Sequence, residues 1–438
     1  MVNEQKQTVA ITTLGCKINQ FESAAMAETL GKEGFSVVPF GGSADIYVIN
    51  TCTVTSKTDA ESRRLIRRAS RQNPAAKIVV TGCYAQVAFD ELQDMPGVNL
   101  ILGNSEKRGI AAMLRNLGDD RQVLVSDIAL EQSAQGTRLE SFAEHTRAFL
   151  QVQNGCDAFC SYCIVPYARG RSRSVSREEA LAGIRSFAQR GFKEVVLTGI
   201  HLGAYGLDLT PSLSLLDLLV AAEKERLVER IRIGSVEPTE VSDALIAFLA
   251  QSAAICPHLH IPLQSGHDQV LTAMNRNYTT AGFRTVMEKL ATALPSVCIG
   301  TDIITGFPGE TEEQFQEGYR FLQSLPLAYF HVFPFSPRAG TPAAAMDGHV
   351  HSSIVKERAK ALRKLSEEKK KAYYQSFVGK ELQVLVQTRE DNGLLKGLSR
   401  NYIPVLLEGN DSLLKTEQWV RISGVEREKV TGEVIASP

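Results

Sequence analysis

Residues 154–163 read Asn-Gly-Cys-Asp-Ala-Phe-Cys-Ser-Tyr-Cys, which sets Cys156, Cys160 and Cys163 in the spacing C-x3-C-x2-C directly after the strand-like run AFLQVQ. Three thiolates on one short loop can hold three corners of a cubane iron–sulfur cluster and leave the fourth iron without a protein ligand. A structural zinc site wants a fourth protein ligand, and the nearest histidine, His145, stands eleven residues before Cys156. The loop opens a region in which strand and helix patterns alternate, the mark of an α/β fold.

Downstream, EVVLTGI, RIRIGS, HLHIPL, VCIGTDIITG and AYFHVFPF are strand-like and are separated by helical stretches such as SREEALAGIRSFAQRG and TAGFRTVMEKLATAL. Six strands with right-handed helical crossovers make either a doubly wound sheet or part of a (β/α) barrel, and alternation alone does not separate the two. IVKERAKALRKLSEEKKKAYYQSF then predicts a long helix with Val355, Ala359, Leu362 and Leu365 on one face. After Gly379 short strand candidates split by turn signals predict a small closed β-barrel.

Upstream, TVAITT, DIYVIN, KIVVTG and VNLIL alternate with amphipathic segments, which predicts βαβ units and a parallel sheet. Cys16, Cys52 and Cys83 each fall just past the carboxyl end of one of the first three of these strands. In open α/β sheets that edge is where ligands bind. The expected domains are residues 1–125, a polar linker over 126–146, a β/α region over 147–374, and the β-barrel over 375–438.

Composition constrains the partners. Lys plus Arg (48) nearly cancel Asp plus Glu (49) among 438 residues, so any nucleic-acid surface must be a local patch. No stretch approaches the roughly 18 to 20 apolar residues of a membrane span, and the N-terminus lacks a cationic segment followed by an apolar run, so a cytoplasmic protein without membrane contact is expected. In that compartment eight cysteines do not read as a disulfide framework. Cys256 and Cys298 lack a partner spacing and read as buried apolar residues.

The spacing C-x3-C-x2-C, with Tyr162 just before the last cysteine and a six-strand β/α region after it, resembles the radical S-adenosylmethionine (SAM) superfamily. TLGCKINQFES around Cys16, NTCTVT around Cys52, VTGCYAQ around Cys83 and NGCDAFCSYCIVPYARGRSRS resemble, within it, the methylthiotransferases. Gly15 to Gln20 followed by Glu22, and Ala168 to Ser174, are similar to the MtaB-type branch; neither YGCQMN nor LGCPKN, the patterns of the branches acting on isopentenyladenosine and on a ribosomal protein, is present. The resemblance covers nearly the whole chain. It implies an N-terminal parallel α/β domain with an auxiliary cluster, a partial (β/α)6 barrel and a C-terminal barrel resembling the TRAM RNA-binding domain.

It implies further a transferase that methylthiolates C2 of N6-threonylcarbamoyladenosine, 3′ of the anticodon in tRNA. The implied cofactors are two [4Fe-4S] clusters, on Cys16, Cys52 and Cys83 and on Cys156, Cys160 and Cys163, with two SAM molecules per turnover. One SAM methylates a sulfur on the auxiliary cluster; the other is reductively cleaved, and the resulting radical takes the C2 hydrogen. The implied partners are the tRNA anticodon stem-loop and a flavodoxin- or ferredoxin-like electron donor. Both clusters are then expected to face one cavity with the flipped-out base between them. Gly199, Ser235 and Glu237, with the backbone at Tyr162, resemble the positions that usually meet SAM, against the plainer reading of tight strand-to-helix turns with a capping Glu.

Arg63, Arg64, Arg67, Arg68 and Arg71 cluster on the helix after Cys52, a candidate phosphate footprint against the plainer reading of a solvated face. Arg169, Arg171 and Arg173 follow the cysteine loop and suit a SAM or substrate carboxylate or a phosphate. His258 and His260 share one strand face, which suits a metal pair, but without a third ligand nearby in sequence interior packing or a substrate contact is favoured. Tyr402 and Trp419 read as core before they read as base-stacking residues. Rival readings are methylthiolation of isopentenyladenosine or a ribosomal protein, and a non-catalytic iron–sulfur RNA-binding protein. Against the last, a purely structural cluster gains nothing from an incomplete ligand set.

Overall fold

Six parallel strands build the N-terminal sheet in the computed structural model, which describes residues 6–132, 134 and 146–436. They are β1 (Thr8–Thr13), β2 (Ser36–Val38), β3 (Ile46–Thr51), β4 (Lys77–Gly82), β5 (Val98–Leu102) and β6 (Gln122–Leu124), in the order β2-β1-β3-β4-β5-β6. All six residues of β3 are buried, as a central strand with a core on each face requires. One core gathers Tyr47, Ile49, Leu65, Ile66 and Val80, and the other Met26, Leu30, Val48, Val79 and Leu100. The strand order reverses between β1 and β3, so the crevice of this sheet opens where helix α1 (Lys17–Lys32) and helix α2 (Ser56–Gln72) begin. Sequence patterning misses β2 and β6 because each is a three-residue edge strand, and β6 is exposed throughout.

The chain divides into two compact units, one of residues 1–143, 151–176 and 336–344 and one of 144–150, 177–335 and 345–438. The first therefore holds the N-terminal sheet together with the C-x3-C-x2-C loop. Of the segment 126–146, expected as a linker, residues 133 and 135–145 lie outside the described residues.

The second unit carries β7 (Arg147–Gln151, whose last residue falls in the first unit), β8 (Glu194–Thr198), β9 (Arg230–Ile233), β10 (His258–His260), β11 (Cys298–Thr305) and β12 (Tyr329–Pro334). They pair as β9-β8-β7 and β10-β11-β12, and isolated parallel bridges Ile231 to Ile255 and Ser235 to His260 join the two sets. Neighbours follow chain order throughout with no reversal, which selects the partial (β/α)6 barrel over the doubly wound sheet. A 24-residue helix, Ser352–Gln375, buries Ala359, Leu362 and Leu365 as expected. Five strands, β13 (Glu381–Arg389), β14 (Leu395–Ser399), β15 (Pro404–Leu407), β16 (Glu417–Glu426) and β17 (Lys429–Ile435), close the C-terminal barrel around Val384, Val405, Val420, Ile422 and Val430. Among the described residues no helix is long and apolar enough to cross a membrane.

Candidate functional site

The sheet of the first unit delivers three cysteines to one edge. Cys16 follows β1 and caps α1, Cys52 follows β3, and Cys83 follows β4. Two glycines let the turns close. Gly15 has φ of +101°, and a Cβ there would meet the Cys52 Sγ at 2.9 Å; Gly82 has φ of +96°, and a Cβ there would meet the Thr51 carbonyl at 2.4 Å. Asn19 ties the turns together by donating from Nδ2 to the carbonyls of Leu14 (2.7 Å) and Thr51 (3.0 Å). Cys52 and Cys83 are buried and Cys16 is exposed. Burial pushes the Cys52 thiol up to about 11, so a metal must displace its proton.

A buried cation sits against this trio. Arg169 is fully buried and donates from Nε to the Cys83 Sγ at 3.1 Å. Its two terminal nitrogens reach Glu22 and the Asn19 side-chain oxygen. Glu22 is also paired with Lys107 at 2.5 Å, and Lys107 donates to Asn104 Oδ1 at 2.7 Å. Burial alone would raise the Glu22 carboxyl, but Arg169 and Lys107 outweigh it and hold it at about 2. Burial lowers Lys107 to about 8 against the pull of Glu22. The group as a whole carries more positive than negative charge, which suits an anionic ligand set on three thiolates.

The second trio lies in the same unit. Gly155 has φ of +73°, and a Cβ there would come within 1.8 Å of the Arg171 carbonyl, so the chain enters the loop only with glycine. Gln153 Nε2 donates to the carbonyl of Gly155 at 2.8 Å and to Ser172 Oγ at 3.0 Å. The Ala158 N–H donates to the Cys156 Sγ at 3.4 Å, Phe159 takes φ of +42°, and the Cys163 N–H closes on the Cys160 carbonyl at 2.9 Å. Cys160 is buried, with Cys156 and Cys163 half-buried. Asn104 Nδ2 reaches the Ala168 carbonyl at 2.6 Å, so the segment after this loop is fastened to the one that carries Lys107.

The remaining expected residues take varied positions. Arg173 is buried and donates to the carbonyls of Arg169 and Arg171, whereas Arg171 is exposed, 3.3 Å from Asp157 and over the Phe159 ring. Arg63 donates to the Tyr84 hydroxyl at 2.5 Å; Arg64, Arg67, Arg68 and Arg71 are exposed opposite buried Leu65, Ile66 and Ala69. Tyr162 is half-buried. In the second unit Gly199 follows β8 and Ser235 follows β9, and Glu237 pairs with Arg276. Cys256 and Cys298 are buried core residues. Tyr402 stacks on His258 of the β/α barrel with 4.0 Å between ring centroids, instead of filling its own small barrel, and Trp419 is half-buried on β16.

Arg338 carries no motif, yet it donates to Thr53 Oγ1 and Asp59 Oδ2, both at 2.6 Å, and so braces the turn after Cys52. Its neighbour Ala343 donates to the Ser161 carbonyl inside the second cysteine loop at 2.7 Å. Residues 336–344 thus fasten both cysteine segments, a role with no local signal in the sequence.

Residues 8–103 match the family model described as uncharacterized protein family UPF0004, and residues 150–322 match that of the radical SAM superfamily. The threonylcarbamoyladenosine tRNA methylthiotransferase MtaB of Bacillus subtilis is 40% identical over 93% of this chain and 92% of its own. That of Aquifex aeolicus is 40% identical over 92% of this chain and 97% of its own. The chain belongs to the MtaB-type tRNA methylthiotransferases. A tRNA-2-methylthio-N(6)-dimethylallyladenosine synthase of Protochlamydia amoebophila is more distant, 32% identical over 97% of this chain and 95% of its own. Among solved structures, a radical SAM methyltransferase, TsrM, from Kitasatospora setae has a TM-score of 0.55 at 15% identity, covering 78% of this chain and 77% of that one, a likeness of fold.

Membership in this radical SAM methylthiotransferase family implies a [4Fe-4S] cluster and SAM. The residues fit such a cluster: three thiols on one short glycine-entered loop, one of them already accepting a backbone N–H.

Proposed function

We propose that this MtaB-type enzyme methylthiolates C2 of N6-threonylcarbamoyladenosine in the anticodon loop of tRNA, with one [4Fe-4S] cluster on Cys156, Cys160 and Cys163 and a second on Cys16, Cys52 and Cys83. The observation that carries this reading is the gathering of both trios in one unit, joined by Arg169, which leaves the second cysteine segment and donates to a cysteine of the first. When bound, the clusters and two SAM molecules per turnover supply the electron, radical and methylthio chemistry that an aromatic C2–H demands, since no base of ordinary pKa removes it.

The chain's own residues bind and orient. Arg169 keeps a positive charge beside Cys83, and Glu22, itself paired with Lys107, holds that guanidinium in place. Gly199, Ser235, Glu237 and the backbone at Tyr162 are assigned to SAM. The exposed arginines of α2 offer phosphate contacts, Arg171 a further charge, and the TRAM-like C-terminal barrel a second RNA surface. A flavodoxin- or ferredoxin-like donor, and residence in the cytoplasm with the tRNA, complete the reading.

Nucleoside mass spectrometry of tRNA from cells with and without the gene tests it. The 2-methylthio derivative of threonylcarbamoyladenosine is expected to vanish in the deletion and to stay absent on complementation with Cys156→Ala. Loss of the methylthio group from dimethylallyladenosine instead would transfer the assignment to that substrate.

A further inference from the structure

Three side chains on one wall of the β/α barrel have no part in the chemistry above. In the parallel pairing of β10, β11 and β12, His260 lies opposite Gly300, and Asp302 lies opposite His331. Strand alternation sends His260, Asp302 and His331 to one face. Their ligand atoms all lie within 4.8 Å of one another, with His260 Nε2 3.0 Å from Asp302 Oδ1. The two imidazole rings are 5.8 Å apart between centroids. An ordinary His–Asp pair accounts for two of these groups and leaves the convergence of the third, from a separate strand, unexplained. His258 is not a member: its Nε2 lies 3.0 Å from the Tyr329 hydroxyl, and its ring is covered by Tyr402.

We propose that His260, Asp302 and His331 form a divalent transition-metal site. Two imidazoles and one carboxylate suit Mn2+, Fe2+, Co2+ or Zn2+, and three protein ligands leave coordination positions for water or another oxygen donor. His331 also lines a cavity of about 650 Å³ whose wall mixes Arg363, Lys370 and Lys396 with Glu367 and Glu428, so water and other small oxygen donors can reach the metal from that side. The site lies wholly within the second unit, and its existence does not depend on the substrate assigned above.

The probe is Mn2+ alone, added to full-length protein with its clusters reconstituted and in their EPR-silent oxidised state. Mn2+ prefers nitrogen and oxygen donors, so cysteine thiolates do not compete for it. A single equivalent per chain is expected to leave the free Mn2+ EPR signal and to be displaced by Zn2+, which binds such donor sets more tightly. Asp302→Asn and His331→Ala should each weaken binding about tenfold or more, with iron content and unfolding midpoint retained, whereas His349→Ala should not. Absence of binding at millimolar Mn2+, failure of Zn2+ to displace it, or binding undiminished in both variants would overturn the proposal and leave a hydrogen-bonded His–Asp pair.

Discussion

Arg169 meets the cysteine sulfur, a carboxylate and an amide oxygen with one planar guanidinium, itself fully buried. Removing it leaves Glu22 with Lys107 alone and Cys83 with only the longer contact from Asn104 Nδ2 at 4.0 Å, and breaking a buried ionic group in this way costs about 3–5 kcal/mol. Arg169→Ala is therefore expected to lower the unfolding free energy of the first unit by that order in urea titration. It should also reduce the iron retained on reconstitution, while Arg169→Lys recovers charge but not the forked contacts and remains impaired. Full iron content in the alanine variant would show that the guanidinium does not support the cysteine trio. In the sequence this arginine stands beside the cysteine loop, and its target is open among carboxylates and phosphates. Its partners Cys83 and Glu22 stand 86 and 147 residues away, and only the tertiary fold chooses among such partners.

At the scale of elements, caps and turns fix where the sulfurs stand, and two substitutions separate local stability from site geometry. Thr55 caps α2 in a reciprocal pair with Thr58, so Thr55→Ala should cost about 1 kcal/mol and leave iron binding intact. Gly155→Ala drives a methyl into the Arg171 carbonyl at a left-handed position, so the loop holding Cys156 must shift and iron content should fall far more than helicity. Iron assay and far-ultraviolet circular dichroism on the two variants give opposite patterns if this division holds. Elements of this kind were legible because their signals are local: Leu65, Ile66 and Ala69 repeat at helical spacing, and each N-terminal cysteine follows an apolar strand. The choice between barrel and doubly wound sheet was not, since it depends on strand order and not on any strand's composition. The grouping of His260 with Asp302 and His331 was hidden for the same reason: its members are neighbours only across parallel strands.

At the scale of the whole molecule, the second unit joins its two barrels through a buried ionic seam. Arg230 and Arg232 alternate with Ile231 and Ile233 on β9, and both arginines are fully buried. They pair with Glu194 on β8, and Arg230 continues to Glu417 at 2.8 Å and the Leu398 carbonyl at 3.1 Å, while Arg232 donates to the Arg400 carbonyl at 3.0 Å. Arg400 returns to Glu417 at 2.8 Å, so the C-terminal barrel is fastened by charge as well as by the stacking of Tyr402. Burial by itself would raise the Glu194 carboxyl, but Arg232 and Arg230 overcome it and bring the value from its ordinary 4.5 to about 2. A carboxyl depressed on folding stabilises the native state fully above its unfolded value, and that contribution is lost as pH falls through the window from 4.5 towards 2. Glu417 is depressed in the same direction, so both carboxylates act with one sign. Urea unfolding of the second unit should hence weaken steeply on acidification below the ordinary carboxylate range. Glu194→Gln leaves two buried guanidinium groups without their shared anion and should cost about 3–5 kcal/mol at neutral pH. Because the titrating group is gone, the same variant should lose much of the acid dependence. An acid slope unchanged in Glu194→Gln would assign that dependence to other carboxylates and reduce the seam to a packing contact.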